Sequence, residues 1–134
     1  MSLPPPAAAT VETHAREHQQ IRGLLALLRS VQDGAALATL LDVMEAAMQE
    51  HFAHEEASSG VFATIRAEDP VRGGEIDAFV AEHRVFLAGI AEVRARLELE
   101  AGEAVDLAHE MGLQLERHEA AENAAVRAAL LDEA

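Results

Sequence analysis

Two short stretches carry the residues most able to do chemistry. "EHFAHEE" (50–56) holds His51, His54, Glu55 and Glu56, and "ERHEAAE" (116–122) holds His118, Glu119 and Glu122. Each contains a His-x-x-x-Glu pair, His51/Glu55 and His118/Glu122, and a spacing of four puts both side chains on one face of a helix. An imidazole nitrogen beside a carboxylate oxygen is a metal-ligating combination. A donor set of this kind without sulfur favours iron or manganese, and imidazole-rich sites also accept zinc. Spacing alone is weak evidence. With 24 acidic residues among 134, one or two such pairs are expected among seven histidines by accident. A solvated polar face is the competing reading, and the elements that position the pairs must decide between them.

Breaker clusters divide the chain at the Pro-rich start, at "QDG" (32–34), at "SSG" (58–60) with "EDPVRGG" (68–74), and at "EAGE" (100–103). Four helices are predicted, over about 10–31, 35–58, 75–100 and 103–131, with a further turn around "VFATI" in the long second linker. The expected fold is all-α, an antiparallel up-down-up-down four-helix bundle over 10–134, preceded by a disordered Pro/Ala-rich stretch at 1–9.

Each helix carries an apolar stripe at alternating three- and four-residue spacing, and each stripe is interrupted by histidine. The first reads Val11, His14, His18, Ile21, Leu25 and Leu28. The second reads Leu37, Leu41, Met44, Met48, His51 and Glu55, continuing to Ser58 and Phe62 if the helix runs on. The third reads Ile76, Phe79, His83, Phe86, Ile90, Val93 and Leu97, and the fourth Ala104, Ala108, Met111, Leu115, His118, Glu122, Ala125 and Ala129. At 1.5 Å per residue, His18 lies about 21 Å before the first turn and His51 about 24 Å after it. His83 lies about 27 Å before the last turn and His118 about 24 Å after it. Four histidines from four helices therefore meet at one level, with both carboxylates beside them. Burying that set without a cation is costly.

Composition removes most other classes. The formal net charge of −14 repels phosphate backbones and anionic membranes, so neither nucleic acid nor membrane is an expected partner. Without cysteine there is no disulfide, thiolate ligand or cysteine nucleophile, which fits a reducing compartment. With neither a signal-peptide pattern nor a run of roughly 18 apolar residues, a cytoplasmic location is expected. Phosphate-binding glycine loops, a hydroxyl nucleophile with a His partner, and basic patches are all missing.

"EHQQIRGLLALL", "EHFAHEE", "EHRVFLAGI" and "ERHEAAE" resemble, in order and over nearly the whole chain, the H…HxxxE…H…HxxxE signature of the hemerythrin-like, or HHE cation-binding, family. The resemblance implies two iron ions inside a four-helix bundle, with His18, His51, His83 and His118 as terminal ligands and Glu55 and Glu122 as bridges. Oxygen-carrying members have a further His one turn before the third-helix ligand, where this chain has Phe79. One iron then has one fewer imidazole, which favours iron binding, sensing or redox chemistry over stable oxygen carriage. Many relatives also carry an "LFP"-like stretch soon after the second-helix Glu. Here "ASSGVF" delays it, and a rearranged end of the second helix is expected.

Other residues are assigned ordinary roles. His14 shares the stripe one turn from His18 and is expected at the bundle end, with replacement of the fifth imidazole as the alternative. His54 is expected to flank the site as a hydrogen-bonding or surface residue, and His109, Glu56 and Glu119 to face solvent. Met44, Met48 and Met111 are core, and Phe62, Phe79 and Phe86 are core residues able to wall the site from water. The expected function is a non-haem di-iron protein that binds or reacts with dioxygen, peroxide or nitric oxide, or handles iron, with manganese or zinc as other occupants. The alternative is a non-catalytic interaction bundle with zinc or no metal.

Overall fold

The computed structural model describes residues 3–131. It is all-helical, with four long helices in a bundle: α1 (Pro5–Ser30), α2 (Gly34–Glu56), α4 (Gly73–Leu99) and α5 (Ala101–Leu130). A short α3 (Val61–Glu68) and a 3₁₀ turn (Pro70–Arg72) fill the link between α2 and α4. Around the bundle, α1 packs on α2 and α5, and α4 packs on the same two helices. Among the described residues no helix is long and apolar enough to cross a membrane.

Within the stretch 1–9, where the sequence leads one to expect disorder, α1 begins at Pro5. Proline is well suited to a first turn, where its missing N–H would have had no helical partner. The Pro4 carbonyl accepts from Ala8 N at 3.0 Å, and Thr10 Oγ1 donates to the Ser59 carbonyl at 3.1 Å, tying this turn to the far end of α2. Met1 and Ser2 lie outside the described residues.

The other boundaries have local causes. Asp33 caps α2 by accepting from Ala36 N at 2.9 Å, and the Glu100 side chain accepts from Gly102 N and Glu103 N at the start of α5. Downstream, α2 stops at Glu56, short of Ser58 and Phe62. The chain then turns through Gly60, where a Cβ would collide with the His54 and Glu55 carbonyl oxygens. This tight corner lets α3 fold back so that Val61, Phe62 and Ile65 are buried against α2, α5 and α1. Phe62 is thus a core residue of α3 rather than a continuation of the α2 stripe.

Two apolar clusters make up the core. One gathers Ile21, Leu25, Leu28, Leu41, Met44, Met48, Phe86, Ile90, Met111 and Leu115, among others. The second gathers Val61, Phe62, Ile65, Ile76, Phe79, Ala125, Val126 and Leu130. Along α4 and α5 the polar stripe residues fall between members of the two clusters, as His83 does between Phe79 and Phe86, and beyond the end of α2 the second cluster is supplied by Val61, Phe62 and Ile65 of α3. The histidine layer is therefore closed above and below by packed side chains.

Candidate metal centre

The six residues singled out from the sequence, His18, His51, Glu55, His83, His118 and Glu122, are all buried, none more than 4% exposed. They come together as two lobes with shared carboxylates. The first lobe is formed by α1 and α2. Glu55 Oε2 lies 2.7 Å from His14 Nε2, 3.5 Å from His18 Nε2 and 3.3 Å from His51 Nε2, and Glu122 Oε1 lies 3.0 Å from His18 Nε2. α4 and α5 form the second lobe. Glu55 Oε1 lies 3.0 Å from His83 Nε2, and Glu122 Oε2 lies 3.2 Å from His83 Nε2 and 2.8 Å from His118 Nε2. Each carboxylate thus turns one oxygen to each lobe.

Three imidazoles are aimed from behind by acidic side chains on neighbouring helices. His51 Nδ1 donates to Glu17 at 3.0 Å, His83 Nδ1 to Glu56 at 2.7 Å, and His118 Nδ1 to Glu82 at 2.7 Å. Because a carboxylate accepts only, these contacts keep the proton on Nδ1 and turn the Nε2 lone pair inward. His54 Nδ1 donates to the other oxygen of Glu17, so His54 steadies the site from outside without entering it.

Electrostatics follow from burial and this crowding. Burial, reinforced by the neighbouring His18, lowers the His14 pKa to about 3, and the same two effects lower that of His51 to about 4. Both rings are neutral near pH 7 and have lone pairs to give. For Glu122, burial favours the proton, but close contact with the imidazoles of His118, His18 and His83 outweighs it and holds the carboxyl well below the usual range. Burial also opposes charge on His118, but its contacts with Glu122 and Glu82 raise its pKa overall. Burial and the Glu122 charge push Glu55 up, and they push Glu119 up to about 9.

Several buried atoms remain without hydrogen-bond partners: His18 Nδ1, His51 Nε2, Glu55 Oε1, His118 Nε2 and Glu119 Oε2. Buried polar groups are rarely left so, and four of these five belong to residues of the two lobes. The ligand atoms of His14, His18, His51, Glu55 and Glu122 lie within 4.8 Å of one another, as do those of His83, His118 and Glu122. Neutral imidazoles, an ionised carboxylate and orphaned donor atoms in close groups fit bound cations. A family model described as the hemerythrin HHE cation-binding domain matches residues 7–131. The chain belongs to this family. No match of significance was found among curated proteins or solved structures.

As a hemerythrin HHE domain the chain departs from sequence expectation at several places. His14 is not at the bundle end but in the first lobe, 5% exposed. Glu119, expected to face solvent, is buried, because one step round α5 from His118 leads into the packed interface with α1. Glu56 is at the surface as expected, yet it also orients His83. His109 is half-buried rather than solvated, its Nε2 donating to the Val31 carbonyl at 3.1 Å and pinning α5 to the end of α1. The sequence reading missed Glu17 and Glu82 altogether. A retrospective signal exists in the repeated Glu-His dipeptides at 17–18 and 82–83, where each Glu serves the histidine of the next helix.

All four phenylalanines gather at the second lobe. Phe52 stacks on His83 with centroids 3.8 Å apart, Phe62 lies 5.5 Å from the same ring, and Phe79 and Phe86 meet His118 edge-on at 5.6 and 5.2 Å. The first lobe instead lies against a cavity of about 260 Å³ whose lining is more apolar than polar, with Ala9, Ala57 and Val61 beside Thr13, His14 and Glu55.

Proposed function

We propose that the two lobes hold a pair of iron ions bridged by Glu55 and Glu122, and that the protein binds or reacts with dioxygen, peroxide or nitric oxide at the second lobe. Manganese or zinc would fit the same nitrogen and oxygen donors less well suited to that role. One observation carries the reading: each of the two buried carboxylates presents one oxygen to each group of imidazoles. The four long helices are taken to run up-down-up-down, which the short links at 31–33 and 100 support.

When bound, an iron pair supplies electrons and open coordination positions to a small ligand. The protein supplies the rest. His14, His18 and His51 give the first lobe three nitrogens, whereas His83 and His118 give the second only two. His14 therefore restores the imidazole lost at Phe79, but in the opposite lobe. Phe52, Phe62, Phe79 and Phe86 surround the less substituted side with apolar surface, which excludes water from it. Glu56 and Glu82 hold the two rings there in one tautomer.

Metal analysis with optical spectroscopy tests this reading. Protein loaded with ferrous ion under argon and then exposed to air is expected to hold two irons per chain, with near-ultraviolet ligand-to-metal bands that disappear in His51→Ala and His118→Ala. Zinc alone, or no metal after loading, would refute the reading and leave a polar layer in an interaction bundle. Repeated turnover, rather than one stoichiometric reaction, would mark an enzyme.

A further inference from the structure

Glu119 is not used by the reading above, yet it is built into the same space. It is 7% exposed, and its Oε2 has no hydrogen-bond partner. That oxygen lies 3.8 Å from His18 Nε2 and 3.8 Å from His51 Nε2, two inward-facing nitrogens of the first lobe. A buried carboxyl without a partner is costly, and its position one residue beyond His118 would suit any small apolar side chain if nothing were to be bound.

Counting donors shows what the oxygen is placed to do. The first lobe has three nitrogens, from His14, His18 and His51, and one oxygen each from Glu55 and Glu122, which makes five. The second lobe has two nitrogens, from His83 and His118, and the remaining two carboxylate oxygens, which makes four. Bonds of about 2.1 Å, usual for imidazole on a first-row ion, place neighbouring donors of an octahedron about 3.0 Å apart and opposite ones about 4.2 Å apart. At 3.8 Å from both imidazoles, and outside the five residues whose ligand atoms lie within 4.8 Å of one another, Glu119 Oε2 stands just beyond the adjacent-donor distance and would take a sixth position by moving inward.

We propose that Glu119 is a third carboxylate ligand of the centre, completing a six-donor first lobe while the second lobe keeps its open positions. This rests on the dinuclear reading above. It has two consequences. The first lobe is closed to outside ligands, so small molecules add only beside His83 and His118. A third inner carboxylate also joins Glu55 and Glu122, and with Glu17, Glu56 and Glu82 behind the rings it brings six acidic groups to the centre. Six negative charges match two trivalent ions and favour the oxidised pair.

The test is cobalt(II) titration of wild type and of the isosteric Glu119→Gln, read by uptake and by visible absorption. Wild type is expected to take up two ions per chain. Glu119→Gln is expected to weaken one of the two sites by about tenfold to a hundredfold, with visible bands that intensify as that ion falls from six to five donors. Identical affinities and spectra in the two proteins would overturn the role of Glu119 while leaving the dinuclear reading intact. Fewer than two ions in wild type would overturn both. Should the variant fail to fold, infrared difference spectra of wild type on metal binding serve instead: three buried carboxyl groups changing to metal-bound support the proposal, and only two refute it.

Discussion

Removing the metal exposes what the buried Glu119 carboxyl does to stability, and the effect has a definite sign and size. The group has an ordinary pKa of 4.5 in the unfolded chain and about 9 in the folded one, raised by burial and by the charge of Glu122. Between those values the folded protein holds a proton that the unfolded chain has released, so raising the pH favours unfolding. At 1.36 kcal/mol per unit, the three units from pH 4.5 to 7.5 remove about 4 kcal/mol. That is a large share of the roughly 5–15 kcal/mol that holds a domain together. Glu119→Gln keeps the shape and carries no titrating proton, so this component of the pH dependence disappears. Urea denaturation in the presence of a chelator should show the variant gaining on wild type as pH rises. By pH 7.5 the difference in midpoint should have grown by about 2 M, for a slope near 2 kcal/mol per molar. Because a buried amide has its own pH-independent cost, the comparison is of slopes rather than of absolute stabilities. Saturating metal should cancel or reverse the gain, since it binds the wild-type carboxylate and stabilises that protein more. Parallel pH profiles for the two metal-free proteins would refute the reasoning.

Two further outcomes test other parts of the site. Glu17→Gln, Glu56→Gln and Glu82→Gln should each preserve helical content and lower metal affinity by about tenfold to a hundredfold, measured by competition with a chromophoric chelator, because each replaces the charged acceptor that orients His51, His83 or His118 by a neutral amide. Phe79→His, beside His118, should tighten the weaker metal site at least about tenfold in the same assay and prolong the oxygenated spectrum, since it returns a third imidazole to the second lobe.

Much of this protein is legible in one dimension because a helix imposes its own period. His18, His51, His83 and His118 stand at positions that would otherwise be apolar, and equal distances from the turns bring them to one level before any packing is known. The pairs His51/Glu55 and His118/Glu122 follow from the same period. Packing decided everything that depends on which neighbour a helix faces and how far the packed interface reaches round it. Whether His14 ends the bundle or enters the first lobe turns on α1 continuing back to Pro5 and being covered by α3 after the Gly60 corner. Glu17 and Glu82 read as surface charges until α2 and α5 place His51 and His118 against them. Glu119 reads as solvated by its angle from His118, and is buried because α1 lies against that side of α5. Periodicity fixes the direction of a side chain relative to its own helix, but burial and hydrogen-bond partners belong to contacts between helices, which no local spacing contains.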